Sequence, residues 1–112
     1  MLNDTNTATI RSLNDGFRRN LVFGGTVLLT QGVTCLEPDR VAELLEAVRT
    51  FDSFTPDNDP HGEHDFGAID QNAVRYFWKI DYYDLSKKAY SPDPANSTVT
   101  QRVMTIMRAN EY

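Results

Sequence analysis

One cysteine, Cys35, is all that the 112 residues contain, so no internal disulfide can form and a reducing compartment is expected. Cys35 stands beside Leu36 in an apolar context and is expected to pack as a small hydrophobe. No apolar run approaches the ~20 residues that a membrane-crossing helix needs. The opening Met-Leu-Asn-Asp-Thr-Asn has neither a basic region nor an apolar stretch, which argues against secretion and for the cytoplasm. Basic residues are the minority, 11 Lys and Arg against 16 Asp and Glu, for a net charge of −5. That balance weighs against direct binding of nucleic acid, whose phosphates are met by cations. No glycine loop of the phosphate-cradling kind occurs, and none of Ser53, Ser86, Ser91 and Ser97 sits in a nucleophile elbow.

What is present is ordinary in bulk and uneven in detail. A hydrophobic fraction of 40% with 24% charged residues suits one folded domain spanning residues 1–112, too short for two cores. All the net charge lies between Asp52 and Asp93. Nine acids there (Asp52, Asp57, Asp59, Glu63, Asp65, Asp70, Asp81, Asp84, Asp93) face four bases (Arg75, Lys79, Lys87, Lys88), and the other 70 residues are neutral. The same window holds both histidines, three of the five prolines, the one tryptophan and four of the five tyrosines.

The elements follow from periodicity. Ile10, Leu13, Phe17 and Leu21 line one face of a helix from about Asn6 to Leu21, with Asp4 or Thr5 as its cap and Arg18 and Arg19 complementing its dipole. After Gly24-Gly25, Thr26 to Gln31 reads as a strand and Gly32 as a bulge or turn. Pro38 suits the first position of a second helix, whose stripe is Val41, Leu44, Leu45 and Val48. Residues 52–65 hold two prolines and a glycine and read as a loop, long enough to be functional. Phe66 to Ile69 and Ala73 to Tyr83 read as an antiparallel hairpin around Asp70-Gln71-Asn72. Val74, Tyr76, Trp78, Ile80 and Tyr82 are expected on its core face, with Arg75, Phe77, Lys79, Asp81 and Tyr83 on the other. A second loop, residues 84–96, precedes a final helix starting at Ser97 or Thr98, with Val99, Val103, Ile106 and Met107 inward. The expected fold is α+β, in the order α-β-α-β-β-α, with a three-stranded antiparallel sheet and helices on one face.

Four readings compete for the acidic window. His61, Glu63, His64 and Asp65 offer four potential ligands in five residues, a pattern that suits zinc or a similar divalent ion and a small metal-dependent hydrolase or nuclease. Extended neighbours point in opposite directions, however, and no distant Cys or His pair completes the set. Asp57-Asn58-Asp59-Pro60-His61-Gly62 starts like a calcium loop but has Ala68 where the closing Glu belongs. His61 or His64 with Asp57, Asp59, Asp65 or Asp81 could form a base and its orienter, without an evident nucleophile. A purely structural role is the plainest, with Asp57, Asn58 and Asp59 closing turns and Glu63 or His64 tying the loop to Lys79 or Tyr83.

The runs Phe51-Asp-Ser-Phe-Thr-Pro-Asp-Asn-Asp-Pro-His-Gly-Glu-His-Asp-Phe-Gly, Tyr76-Phe-Trp-Lys-Ile-Asp-Tyr-Tyr-Asp and Ser91-Pro-Asp-Pro resemble a family of small bacterial proteins catalogued as domain of unknown function 3768. Leu13-Asn-Asp-Gly-Phe-Arg and Arg102-Val-Met-Thr-Ile-Met are similar to it as well. The resemblance implies a gene carried on plasmids, phages and other mobile elements, and an accessory or counter-defence role; it implies no catalytic residue. The expectation is therefore a non-enzymatic acidic binding protein without a cofactor. It would dock on a basic, nucleic-acid-binding surface of a host defence complex in the manner of an anti-CRISPR inhibitor, touching neither nucleic acid nor membrane. Asp57, Asp59, Glu63, Asp65, Asp81 and Asp84 would supply charge, and Phe77, Tyr82 and Tyr83 apolar anchors. A homodimer formed through the exposed sheet face or an edge strand is the remaining alternative.

Overall fold

In the computed structural model the described residues are 4–112, with side chains from Asn6 onward. Three helices and four strands follow one another: α1 (Asp4–Asn20), β1 (Thr26–Leu29), α2 (Gln31–Thr34), α3 (Pro38–Arg49), β2 (Phe66–Gln71), β3 (Val74–Tyr83) and β4 (Gln101–Arg108). The first two helices of the sequence reading stand where the apolar spacing puts them, and Pro38 takes an N-terminal position of α3. Capping by Asp4 or Thr5 lies outside the described side chains. No described helix is long and apolar enough to cross a membrane.

The sheet corrects the expected architecture. It has four strands rather than three, in the order β1-β4-β3-β2, and it is mixed. β2 pairs antiparallel with β3, β3 antiparallel with β4, and β1 parallel with β4. The missing strand is β4, which the Val99, Val103, Ile106, Met107 spacing assigned to a helix. Only a 3-10 turn, Ser97–Val99, survives of that helix. β4 lies between β1 and β3, and its side chains are buried on both faces, Arg102, Val103 and Met104 in succession. A strand whose side chains are buried on both faces loses its two-residue alternation, and spacing then ceases to separate strand from helix. The β-branched Thr98, Val99, Thr100, Val103, Thr105 and Ile106 carried the better signal.

One face of the sheet makes the core. Tyr76, Trp78 and Ile80 of β3 and Met104 and Ile106 of β4 pack against Phe17 of α1, Leu44 and Val48 of α3, and Val33 of α2. Gly67 pairs with Trp78 across the β2–β3 ladder, and a Cβ there would collide with the indole. The hairpin turns at Asn72-Ala73, both at positive φ (52° and 63°), the backbone of a type I′ turn. Cys35 is exposed, contrary to the packed thiol expected of it. It follows the single turn of α2, where Val33 and Leu36 take the inward positions. The opposite face carries Phe66, Phe77, Lys79, Asp81, Tyr83, Thr105 and Met107. No described α-helix covers it, and the C-terminal Tyr112 lies edge-on to Phe77 (5.7 Å) and Phe66 (6.3 Å).

Candidate functional site

The 52–65 loop contains no helix or strand and is held by its own polar groups. Asn58 and Thr55 exchange side-chain-to-backbone bonds, the Thr55 amide donating to Asn58 Oδ1 (2.8 Å) and the Asn58 amide to Thr55 Oγ1 (3.3 Å). Asn58 Nδ2 donates to the Ser53 carbonyl (2.9 Å). Gly62 at φ 70° and His64 at φ 55° turn the chain back toward α1.

There the loop is clamped. Arg11 donates to the Gly62 carbonyl (2.9 Å) and Asn14 Nδ2 to the Glu63 carbonyl (2.9 Å). His64 Nδ1 lies 2.9 Å from Asp15 Oδ1, and its Nε2 3.6 Å from Asp59 Oδ2. Its ring stacks flat on Phe54, centroids 3.7 Å apart. Asp59 accepts from the His64 amide (3.1 Å) and is itself only 9% exposed. Behind Asp15 stands Arg18, wholly buried, which pairs with it at 2.9 Å. Arg18 also donates to the carbonyls of Val48, Arg49 and Phe51 at the end of α3. Its guanidinium lies 5.4 Å from the rings of both Phe54 and Trp78, a cation–π arrangement that desolvation strengthens. One cation thus ties together α1, the C-terminus of α3 and, through Asp15 and His64, the loop.

A second line runs beside it. Tyr82 donates to Glu63 Oε1 (2.8 Å) and accepts from Asn14 Nδ2 (2.7 Å), while Asn14 Oδ1 accepts from Arg102 Nε (2.7 Å). Arg102 lies over the Tyr82 ring at 5.1 Å and donates to the Pro94 carbonyl (2.6 Å). Burial pushes the Tyr82 phenol far up, its bond to Glu63 adding to the rise, so the hydroxyl stays a donor. Burial pulls the Arg102 guanidinium below its usual value, with Tyr82 and Glu63 opposing.

The expected docking residues therefore divide. Asp59 and Glu63 face their own molecule, and Tyr82 lies on the helix side of the sheet. Asp84 accepts from the Ser86 hydroxyl (2.7 Å) and the Lys88 amide (3.1 Å), closing its turn; the serine bond holds its carboxyl below the usual range. Asp57 is exposed and Asp65 half-buried. Phe77 packs on Phe66 and Tyr112, Asp81 pairs with Lys79 at 2.8 Å, and Tyr83 faces the uncovered side of the sheet. A cleft of about 380 Å³ lies there, lined by Asn58, Pro60, His61, Asp65, Phe66, Lys79, Ile80, Asp81 and Tyr112.

Asp65 makes no ion pair with Lys or Arg among the described residues. Burial raises its pKa, and Glu63 and Asp59 raise it further; its own backbone amide and His61 act the other way. His61 also borders a second cleft of about 530 Å³ together with His64. The two nitrogens of His64 already face Asp15 and Asp59, and no described group of three His, Cys, Asp or Glu side chains could hold one metal ion. The His61, His64, Asp65 trio consequently does not converge. Sequence reasoning found the loop's histidine and Asp59 but missed Asn14, Asp15, Arg18 and Arg102. Polar residues on the inner side of a helix otherwise lined by Ile10 and Phe17 were the available signal.

A family model described as Protein of unknown function (DUF3768) matches residues 29–111, and the chain belongs to that family. No curated protein and no solved structure matches it.

Proposed function

We propose that this protein acts by binding, as a non-enzymatic inhibitor that docks on a basic, nucleic-acid-facing surface of another protein. In the mobile-element setting that the family resemblance implies, the partner is a host nucleic-acid-processing defence complex. The docking surface is the uncovered sheet face and the acidic lip beside it: Asp57, Asp65 and Asp81 for charge, Phe77, Tyr83 and Tyr112 for apolar contact.

The observation that carries this reading is Asp65. A half-buried carboxylate, crowded by Glu63 and Asp59 and without a Lys or Arg ion pair among the described residues, is costly to the free protein and becomes favourable when a partner brings Lys or Arg. Glu63, two residues earlier, receives the Tyr82 hydroxyl, and Asp59 receives the His64 amide, so the lack of a partner at Asp65 is local. A salt titration tests it: the immobilised protein captures a nucleic-acid-processing complex from host lysate, and affinity falls steeply with ionic strength. The double variant Asp57→Asn with Asp65→Asn weakens capture about tenfold, the loss expected for one or two charge pairs at ~1.4 kcal/mol in all. Affinity indifferent to salt and to both substitutions sinks the proposal.

A further inference from the structure

From Asn20 to Leu36 the sequence contains no charged residue at all, and the centre of that stretch is β1, one of the two free edges of the sheet. Edge strands of monomers are ordinarily guarded by lysine, proline or a bulge. Thr26-Val27-Leu28-Leu29 has none of them. Leu28 is 51% exposed, and the segment leading into the strand leaves Val22 at 68% and Phe23 at 77%. The other edge, β2, is treated differently: Asp70 pairs with Arg75 at its end (2.8 Å), and the acidic loop runs directly into it.

We infer that two copies of this chain pair antiparallel through β1, giving a continuous eight-stranded sheet with a two-fold axis at Leu28. The backbone sets the register. The Thr30 amide donates to the Ile106 carbonyl of β4. By alternation Thr26 and Leu28 also turn their backbone groups toward β4, and Val27 and Leu29 turn theirs outward. Placing Val27 of one copy opposite Leu29 of the other pairs every outward amide and carbonyl of the strand. Leu28 then meets Leu28 of the second copy on the uncovered face.

Charge selects this edge and this occupant. Each chain carries −5, all of it between Asp52 and Asp93. Pairing through β2 would bring two acidic loops together. Pairing through β1 leaves the two β2 edges seven strand spacings apart, about 34 Å at ~4.8 Å each. Ionic screening at physiological salt acts over ~8 Å, so like-charge repulsion vanishes at that separation. The neutral stretch is self-complementary, which a two-fold contact requires. The dimer would also present the acidic faces at its two far ends, although the pairing stands independently of what those faces bind.

Sedimentation of the full chain across a dilution series tests the pairing. The expected result is a species of twice 12.7 kDa giving way to one of 12.7 kDa. Leu28→Lys sets two ammonium groups opposite each other on the axis, where like charges repel. That variant sediments as a monomer throughout, with unchanged far-ultraviolet circular dichroism. Leu85→Lys, at another exposed leucine away from β1, leaves the equilibrium as it was. Hydrogen exchange gives a reading that needs no variant: the Val27 and Leu29 amides are slow at high concentration and fast on dilution. A wild-type chain monomeric at every concentration overturns the inference, as does a dimer in which those two amides exchange freely.

Discussion

Tyr82 turns into the helix side of β3, where its hydroxyl accepts from Asn14 and donates to Glu63, while Tyr83, the next residue, faces the uncovered side opposite Gln101. The same division runs through the whole acidic window. Asp59 is folded against His64, whereas Asp57, two residues earlier, stays exposed. Glu63 receives the Tyr82 hydroxyl, whereas Asp65 makes no ion pair with Lys or Arg among the described residues. Composition treats these pairs as equals; partners separate them. The inward members close a buried polar network, in which Arg18 Nε alone of the Arg18 nitrogens lacks a described partner, and such networks are costly to break at any point. The outward members are free to change with little effect on the fold.

Arg18→Met tests the clamp most severely. It removes the partner of Asp15 and of three carbonyls in a fully buried place, and should lower unfolding stability by about 3–5 kcal/mol, read from urea denaturation. If the loss is below 1 kcal/mol, roughly that of an exposed pair, the clamp is dispensable. Asn14→Ala comes next. It leaves the Glu63 carbonyl, the Tyr82 hydroxyl and Arg102 each short of a bond, for about 2–3 kcal/mol, and should speed hydrogen exchange across residues 60–64.

The two tyrosines give the sharpest contrast. Tyr82→Phe should cost about 1–2 kcal/mol through the unsatisfied Glu63 and Asn14; Tyr83→Phe should stay within about 0.5 kcal/mol. Equal losses would erase the division drawn here. Asp65→Asn should do the reverse of the clamp variants. The folded-state pKa of Asp65 is raised above 3.8, so its favourable contribution is complete below that value and is lost as pH rises through the raised one. The asparagine variant is therefore more stable than the parent at neutral pH and equal to it below 3.8, as denaturation at a series of pH values would show. Its stability gain and its loss of partner capture should appear together, the trade expected where function holds a group in an unfavourable setting.

Much of the fold was legible because it rests on local periodicity. The α3 stripe Val41, Leu44, Leu45, Val48 and the alternation through Tyr76, Trp78 and Ile80 each describe one element meeting one core, and both stand as read. β4 was not legible as a strand from its spacing, since burial on both faces erased the alternation that would have marked it. Membership of a parallel pair with β1, some 76 residues earlier at Thr30 and Ile106, is a long-range fact with no local trace. The clamp failed to show for the same reason. His64 finds Asp15 across 49 residues and Arg102 finds Asn14 across 88.

The amino-acid order by itself determined where charge, aromatic rings and loop-forming residues accumulate, because composition and turn chemistry are properties of short stretches. It also determined that Asn20 to Leu36 would be neutral. Only the tertiary structure decided which carboxylates would be matched and which left open, and which edge of the sheet that neutral stretch would form. Hydrogen bonding and desolvation depend on what lies within a few ångströms, and in this chain the deciding neighbours come from opposite ends of the sequence.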